Sequence, residues 1–339
     1  MESSVLEAFS VAEFLNRMPI VTPSSYRAPY YALGAHGQTI FPNLTRRRWK
    51  IEYDRERFEL ADGDFVDIDW SGPREGGGRL VLILHGLEGS SRAPYAVCMA
   101  RAARKAGCTV GVLNFRGCSG ELNRLPRFYH SGDTGDLRAV LERLAGEFES
   151  ISLVGFSLGG NVLLKYMGED ASNIPEAVRS AVAFSVPCDL AGSALALERF
   201  DNAIYMKRFI KLLCAKVAEK EERSGKRLAD CRCREMRTFR DFDGTYTAPL
   251  HGFRDADDYW TKSSSGQFLA GIDRPTLLVS ALNDPFLSES CFPREAAEAS
   301  ESFFLETPRS GGHCSFPGKC GALGYWYEER ALEFIETGR

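Results

Sequence analysis

The sequence has only five histidines, and this scarcity limits the chemistry that it can support. They stand apart along the chain, at positions 36, 85, 130, 251 and 313, and the ten cysteines are scattered as well. Zinc sites need several such ligands at short, regular spacings. Cys231-Arg232-Cys233 has no second pair and no neighbouring histidines, so we interpret it as structural or incidental. The sequence therefore predicts no metal site. Its glycine-rich loops lack the Gly-Lys-Ser/Thr ending of a phosphate-binding loop, and no cofactor is implied.

The sequence also lacks an excess of charge, a long apolar run and a secretory signal. A net charge of −4, with both signs mixed along the chain, gives no reason to expect nucleic-acid binding. The apolar segment 5–15 contains two glutamates and is too short to span a bilayer. We expect it to form an amphipathic helix that docks on the domain, without stable membrane insertion. Scattered cysteines without a disulfide framework favour a reducing, cytoplasmic location.

Short apolar segments alternate with helical patterns along most of the chain. Period-two alternation at 49–53, 57–60 and 65–70 predicts an antiparallel start to a sheet. Later apolar runs, typical of buried strands, lie at 80–84, 109–113, 151–154, 178–186, 275–281 and 302–306. Helical patterns separate these runs, so the sequence predicts an α/β fold with a mostly parallel, doubly wound sheet.

Two regions depart from this alternation. Residues 18–42 are rich in proline, tyrosine and glycine and predict a loop that wraps the core, within an N-terminal extension of about 1–45. Residues from about 189 to 265 are more polar and carry helical patterns, so they predict a helical cap inserted between two strands. We therefore expect one domain over 1–339.

The best candidate for a catalytic site is the pentapeptide Gly155-Phe156-Ser157-Leu158-Gly159. It follows the apolar run 151–154 and opens a helical pattern, which is the strand–turn–helix setting of a nucleophile elbow. Glycines flank the serine because bulky neighbours would clash in so sharp a turn. The helix N-terminus behind it offers unpaired N–H groups to an oxyanion. Ser157 is therefore the candidate nucleophile, and the alternative is an ordinary glycine-rich turn.

A serine nucleophile needs a base and an acid that orients the base. Where serine occupies such an elbow, the acid and then the histidine follow it along the chain. Three histidines precede Ser157 and His251 lies in the predicted cap, so His313 is the candidate base. Asp284, directly after the strand-like run 275–281, is the preferred acid. Asp189, after the preceding strand, is the alternative.

Two N–H donors should converge on the oxyanion that forms during such a reaction. One is expected to be the backbone N–H of Leu158, which directly follows the nucleophile. The other is expected from the loop after the strand at 80–84, and we choose Leu87. His85 is interpreted as a structural residue that hydrogen-bonds this loop. Glu88 either faces the site or caps the next helix.

Several longer strings carry a family resemblance: Gly37-Gln38-Thr39, Asp62-Gly63-Asp64-Phe65-Val66-Asp67, Leu84-His85-Gly86-Leu87-Glu88-Gly89-Ser90, Asn114-Phe115-Arg116-Gly117-Cys118-Ser119-Gly120, Tyr129-His130-Ser131-Gly132, Gly155-Phe156-Ser157-Leu158-Gly159-Gly160-Asn161, Thr247-Ala248-Pro249-Leu250-His251-Gly252-Phe253 and Asn283-Asp284-Pro285-Phe286. With them the chain resembles the α/β-hydrolase-4 family of YheT-like bacterial hydrolases, medium-chain ester synthase/esterases and ABHD-type lipases. The resemblance implies the α/β-hydrolase fold and a triad of Ser157, Asp284 and His313. One departure is Cys314-Ser315, where the family usually has a small or aliphatic residue and then glycine.

The resemblance also implies carboxylic-ester hydrolysis on acyl chains, in some members with acyl transfer to an alcohol. The sequence therefore predicts a serine carboxylesterase acting through an acyl-enzyme on short- to medium-chain esters. Its partner would be a small-molecule acyl ester or lipid-like substrate. Membrane members of the family carry an N-terminal anchor that this chain lacks, which favours the soluble bacterial kind. The alternatives are an acyltransferase that uses the same triad and a non-catalytic binding protein with this fold.

Overall fold

The fold is built on a nine-stranded sheet, seen in a computed structural model that describes residues 19–31, 34–74, 77–230, 233–320 and 324–339. The helix predicted at 5–15 lies outside these residues. The strands are β1 (Ile20–Val21), β2 (Asp54–Glu59), β3 (Phe65–Ser71), β4 (Arg79–Leu84), β5 (Thr109–Asn114), β6 (Ser150–Phe156), β7 (Val178–Phe184), β8 (Thr276–Val279) and β9 (Phe303–Glu306). Their order in the sheet is β1-β9-β8-β7-β6-β4-β5-β3-β2.

The sheet is parallel except at one edge, where β3 pairs antiparallel with both β2 and β5. The prediction of an antiparallel start followed by a parallel sheet is therefore confirmed. The strand predicted at 49–53 is wrong, since pairing begins only at Asp54. Trp49, Ile51 and Tyr53 instead pack, half-buried, against the core on one face of the sheet. Their alternation reflects this one-sided packing and not a ladder of hydrogen bonds.

Eleven α-helices and a small hairpin complete the described part of the chain. The helices are α1 (Gly34–Thr45), α2 (Pro94–Lys105), α3 (Gly135–Leu144), α4 (Leu158–Glu169), α5 (Leu190–Glu198), α6 (Ala203–Ser224), α7 (Phe239–Phe242), α8 (Ala248–Leu250), α9 (Ala256–Ser263), α10 (Arg294–Glu298) and α11 (Trp326–Thr337). The hairpin is β10 (Lys319–Cys320) and β11 (Gly324–Tyr325). None of the described helices combines the length and the apolar character needed to cross a bilayer.

Helices cover both faces of the sheet, and the buried strands explain why. In β4, Leu80, Leu82 and Leu84 face one apolar cluster, which includes α3 and α4. Val81 and Ile83 face the other, which includes α2 and α11. Successive side chains of a strand point to opposite faces, so a continuous aliphatic run needs a cover on each. The carboxyl ends of β4, β6 and β8 then share one edge of the sheet.

Between β7 and β8, the described residues form helices and add no strand to the sheet. It runs from α5 to α9, with a π-helix at Asp243–Thr247, and ends in a 3-10 helix at Ser265–Gly271. We retain our proposal that residues 189–265 form a cap. Cys214 in α6 is disulfide-bonded to Cys233, a pairing that the sequence did not predict. Of the two interpretations of Cys233, the structural one is therefore correct, and Cys231 lies outside the described residues.

The prediction that residues 18–42 form a loop is wrong at its C-terminal end. Residues 34–45 form α1 despite containing Pro42. The side chains of Thr39, Asn43 and Thr45 donate to carbonyl oxygens three or four residues earlier, which binds this helix locally. Gln38 and Thr39 are buried against the C-terminal third of the chain. Contacts made far along the sequence thus outweigh the weak helix propensity of glycine and proline.

Candidate active site

Ser157 lies at the turn between β6 and α4, as the elbow pattern predicts. Its φ and ψ of 52° and −119° are unusual for a residue with a Cβ atom. The glycines beside it are required by close packing. A Cβ atom at Gly159 would lie 2.4 Å from the carbonyl oxygen of His85, and one at Gly155 would lie 2.7 Å from the Cα atom of Gly160. The turn therefore holds the Ser157 hydroxyl at the carboxyl end of the sheet.

The structure brings Ser157, His313 and Asp284 into one hydrogen-bonded chain. His313 Nε2 lies 3.0 Å from Ser157 Oγ. His313 Nδ1 lies 2.9 Å and 3.1 Å from the two carboxylate oxygens of Asp284. With Nδ1 protonated and donating to Asp284, Nε2 is free to accept the serine proton. This is the spacing of a nucleophile, a base and an orienting acid.

The electrostatics of the hydrogen-bonded chain of Ser157, His313 and Asp284 centre on the His313 imidazole. Burial disfavours the charged form of the ring, but the interactions with the Asp284 carboxylate and with Cys314 together outweigh burial and raise the pKa of His313. Asp284 itself is buried and accepts a further hydrogen bond from the backbone N–H of Phe286 at 3.0 Å. The Asp284 carboxylate therefore stabilises a positive charge on the His313 ring from the side away from Ser157.

The loop that carries His313 is held by α1. Thr39 Oγ1 accepts from the backbone N–H of His313 at 3.0 Å, and Gln38 Oε1 accepts from that of Gly311 at 2.8 Å. Gln38 Oε1 also accepts from Asn283 Nδ2 at 2.9 Å. Asn283 Oδ1 in turn accepts from the N–H of Gly312 at 3.2 Å. The Gly37-Gln38-Thr39 string, to which sequence analysis assigned no chemistry of its own, thus positions both His313 and the segment that carries Asp284.

Cys314 and Ser315, which depart from the family pattern, also make hydrogen bonds that hold the His313 loop in place. Cys314 has a φ of 55°, and its N–H donates to Ser185 Oγ at 2.9 Å. Ser315 Oγ donates to the carbonyl oxygen of Thr39 at 3.2 Å. The two residues therefore anchor the loop to the end of β7 and to α1, and His313 keeps its bonds to Ser157 and Asp284.

The two backbone N–H groups predicted for the oxyanion lie beside Ser157. Leu158 is the first residue of α4, where a helix leaves its N–H groups unpaired. Leu87 and Leu158 line the same cavity as Ser157. Within the described residues, neither N–H donates to an acceptor. A Cβ atom at Gly86 would lie 3.2 Å from Ser157 Cβ, so the Leu87 loop passes close to Ser157.

His85 holds the Leu87 loop, and its described side-chain hydrogen bonds go to Gly86 and Phe115 and not to Ser157, His313 or Asp284. Its Nε2 accepts from the backbone N–H of Phe115 at 3.2 Å, and its Nδ1 lies 2.8 Å from the carbonyl oxygen of Gly86. Burial lowers the pKa of His85 to about 4, so the ring is neutral at neutral pH. Nδ1 must then carry the proton and donate to Gly86. His85 therefore acts as the structural residue expected from the sequence.

Most of the cavity beside Ser157 is apolar. Its wall from the 189–265 region includes Leu197, Phe209, Leu213, Phe239 and Phe242. The wall also includes Phe286, whose ring centre lies 4.2 Å from that of His313. Such a wall suits a hydrocarbon chain, since burying apolar surface contributes ~25 cal/mol per Å².

A nearly buried ion pair interrupts the apolar wall, and sequence analysis missed it. Lys216 Nζ in α6 lies 2.7 Å from Glu88 Oε1, next to the Leu87 loop. Tyr129 Oη accepts from the N–H of Glu88 at 2.7 Å and donates to Oε1 at 2.8 Å. Glu88 therefore faces the cavity and caps no helix. The spacing of a glutamate and a lysine 128 residues apart carries no local signal from which the pair could have been found.

The alternative residues weighed from the sequence have other partners. Asp189 is the N-cap of α5, where it accepts from the N–H of Gly192 at 3.1 Å and from Ser290 Oγ at 2.6 Å. His251 Nδ1 lies 2.7 Å from the carbonyl oxygen of Thr247, and the ring lies in the cavity wall. The structure therefore brings Asp284 and His313, and neither alternative, to Ser157.

Comparison with known proteins gives consistent results. A family model described as the alpha/beta hydrolase fold matches residues 79–319. YheT from Escherichia coli K12, which is named as an esterase, is 36% identical over 311 residues, covering 89% of this chain and 90% of that protein. The mouse phospholipase ABHD3 is 26% identical over 350 residues, covering 98% of this chain and 84% of that protein.

Solved structures add agreement on the fold alone. The Pyrococcus furiosus esterase Pf2001 superposes with a TM-score of 0.56 at 17% identity, covering 86% of this chain and 92% of that one.

Proposed function

The chain belongs to the α/β-hydrolase family, and we propose that it is a serine carboxylesterase in which Ser157, His313 and Asp284 form the catalytic triad. The single observation that carries this proposal is the unbroken hydrogen-bonded chain from Ser157 Oγ through His313 to Asp284. It ends at a serine on a strained elbow, inside an apolar cavity. The similarity to relatives that are named as an esterase and a phospholipase also supports ester hydrolysis.

In the proposed reaction, Ser157 Oγ attacks the ester carbonyl carbon while His313 Nε2 takes its proton. The carbonyl oxygen becomes an oxyanion that accepts from the N–H groups of Leu87 and Leu158. Removing one such donor costs about 3 kcal/mol of transition-state stabilisation. His313 then returns the proton to the leaving alkoxide, which departs as the alcohol. Asp284 holds the ring in the right tautomer and stabilises the imidazolium.

The second half of the reaction resolves the acyl-enzyme. Water gives a proton to His313 Nε2 and attacks the acyl carbon, and the same two N–H groups stabilise the second oxyanion. Collapse of this intermediate breaks the bond to Ser157 Oγ, which regains the proton, and releases the carboxylic acid.

We propose acyl esters of short to medium chain as substrates. Polar side chains also line the cavity, but most of its surface is aliphatic and aromatic, which favours a hydrocarbon chain. The carbonyl end must sit between Ser157 and the two N–H groups. The acyl chain would then extend along the wall formed by α6 and α7.

The proposal is tested with a series of p-nitrophenyl esters of increasing acyl length. We expect hydrolysis by the native chain, a maximum of kcat/KM at short to medium length, and covalent labelling of Ser157 by a fluorophosphonate. Ser157→Ala should lower kcat by at least about 10³-fold and abolish labelling, since nucleophile and base act as a unit. Full activity of Ser157→Ala, or labelling at another residue, would show that the assigned mechanism is wrong.

A further inference from the structure

The exposed apolar side chains of this protein are concentrated on one part of its surface. Ten large apolar side chains are exposed in the described residues, and all lie in three segments: five in residues 30–44, four in residues 195–212, and Leu282. Tyr30 is 94%, Phe200 96% and Ile204 79% exposed. Single exposed apolar residues are ordinary on a protein surface, but a concentration of this kind marks an interaction site. We call these three segments the apolar face.

The three segments meet at α1. His36 Nδ1 lies 3.2 Å from Tyr205 Oη, and His36 Nε2 lies 3.7 Å from Asp201 Oδ2, which joins α1 to the start of α6. Asn283, next to Leu282, donates to Gln38 Oε1 of α1 at 2.9 Å. The apolar face is therefore one connected region of the molecule.

This region borders the candidate active site. The ring of Tyr205 lies 4.7 Å from that of Phe286, and the ring of Phe286 lies 4.2 Å from that of His313. Phe286 and His313 both line the catalytic cavity. Tyr205 belongs to the apolar face, so only the side chain of Phe286 separates this face from the proposed catalytic base, and a molecule held on it would be next to the site.

The charge around the apolar face is positive, although the whole chain carries −4. No aspartate or glutamate occurs between Glu13 and Glu52, whereas Arg47, Arg48 and Lys50 are exposed. On α6, Lys207, Arg208 and Lys211 are exposed, and no acidic residue lies between Asp201 and Glu219. The segment 195–212 also holds the exposed Glu198, Arg199 and Asp201, so its four cations outnumber its two acidic residues. Exposed apolar and aromatic side chains bordered by cations are the pattern of a surface that binds anionic lipid.

We propose that the apolar face docks the protein on an anionic lipid surface, so that acyl esters held in that surface can reach Ser157. Phe200 and Ile204 would enter the layer between head groups and acyl chains, while Lys207 and Lys211 would contact anionic head groups. A second copy of the chain fits less well, because a symmetric dimer through this face would place like charges opposite each other. The inference rests on the proposed function only for the substrate, since docking itself needs no catalysis.

Sedimentation with lipid vesicles tests the proposal. We expect the full chain to sediment with vesicles of mixed phosphatidylcholine and phosphatidylglycerol, and far less with phosphatidylcholine alone. High salt should weaken the binding. Lys207→Gln with Lys211→Gln should lower the affinity by roughly 25-fold, since each cation near an anionic surface contributes about fivefold. Phe200→Ser with Ile204→Ser should lower it by at least about tenfold.

Lys226→Gln with Arg227→Gln is the matched control. Both side chains are exposed just beyond the far end of α6, and the change removes the same charge. Binding by this control should equal that of the native chain. The proposal fails if mixed vesicles are not bound, or if the control loses as much affinity as the Lys207 and Lys211 variant. It also fails if the native chain is a dimer that Phe200→Ser with Ile204→Ser dissociates, because the face would then hold a second copy.

Catalysis and docking are separated by two further measurements. Ser157→Ala should still bind vesicles, and the Phe200 and Ile204 variant should hydrolyse a water-soluble p-nitrophenyl ester at the native rate. If the native chain binds vesicles without hydrolysing any ester, the docking inference stands and the proposed function is wrong. If it hydrolyses soluble esters without binding vesicles, the reverse holds.

Discussion

Thr39 holds the backbone of His313, 274 residues further along the chain, through a hydrogen bond of 3.0 Å. Thr39→Val keeps the shape of the side chain and removes the oxygen that accepts from His313. We expect it to lower the free energy of unfolding by about 1–3 kcal/mol, because a buried N–H loses its partner. Displacement of the imidazole should lower kcat between about 10- and 100-fold. KM for a soluble ester should change little, since Thr39 does not line the cavity.

Thr45→Val is the control for this prediction. Thr45 lies in the last turn of the same helix, at an exposed position, and donates to the carbonyl oxygen of Phe41 at 3.1 Å. Chemical denaturation and steady-state kinetics should show native behaviour for Thr45→Val. Equal effects of the two variants would mean that both act by destabilising α1, and that the bond from Thr39 to the His313 loop has no effect of its own.

The strained backbone at position 157 should lower the stability of the protein whenever the residue there carries a Cβ atom, as the serine does. Its φ of 52° is costly for any residue with a Cβ atom and is acceptable for glycine. Ser157→Gly should therefore be more stable than Ser157→Ala by about 1 kcal/mol, while both are inactive. Alanine removes the same hydroxyl and keeps the strain, so the difference isolates the backbone. Denaturant unfolding measures it, and equal stabilities would contradict a strained elbow.

The pH dependence of kcat/KM should follow the protonation of His313. The base works only when neutral, and Asp284 raises its pKa, so activity should rise with pH through a midpoint above the ordinary histidine value of about 6.5. In Asp284→Asn the carboxylate is absent and burial then lowers the pKa. The midpoint should move to lower pH, and kcat should fall by about 10³- to 10⁴-fold. If the midpoint did not move, Asp284 would not be the group that raises the pKa of His313.

The pair formed by Glu88 and Lys216 makes a further prediction. Lys216→Met leaves the Glu88 carboxylate nearly buried without its cation, which should cost about 3–5 kcal/mol of stability. The double variant Glu88→Gln with Lys216→Met removes both charges and lets the amide accept from Tyr129, so it should recover most of this loss. Unfolding free energies of the two single variants and the double variant give the coupling energy. Additive losses would mean that the two side chains act independently.

The sheet was predictable because its signals are local. Leu80–Leu84 is a continuous aliphatic run, and such a run needs cover on both faces whatever the rest of the chain does. The elbow at Ser157 was found for the same reason, since strand, turn and helix are consecutive. Family membership, predicted from motif strings, is confirmed by the match over 79–319. The roles of Ser157, Asp284 and His313 remain our proposal.

What the sequence did not reveal depends on distant contacts. The helix α1 contains glycines and Pro42, and its burial comes from the His313 loop. The disulfide between Cys214 and Cys233 depends on how the chain after α6 folds back. The pair of Glu88 and Lys216 likewise needs α6 to lie over the Leu87 loop. Each of these features is a contact between residues that are distant in the sequence and that could have met other partners. Their spacing along the chain does not show which partner each one meets.

The bond between Thr39 and His313 has a consequence for the order of events during protein synthesis. A ribosome makes Ser157 156 residues before His313, so a growing chain holds the proposed nucleophile long before its proposed base. Gln38 and Thr39 are made still earlier, and their partners at 311 and 313 emerge last among these residues. Chains cut short before this loop would lack the base altogether. Esterase activity would therefore report that translation has passed His313 and that the two distant parts of the chain have met.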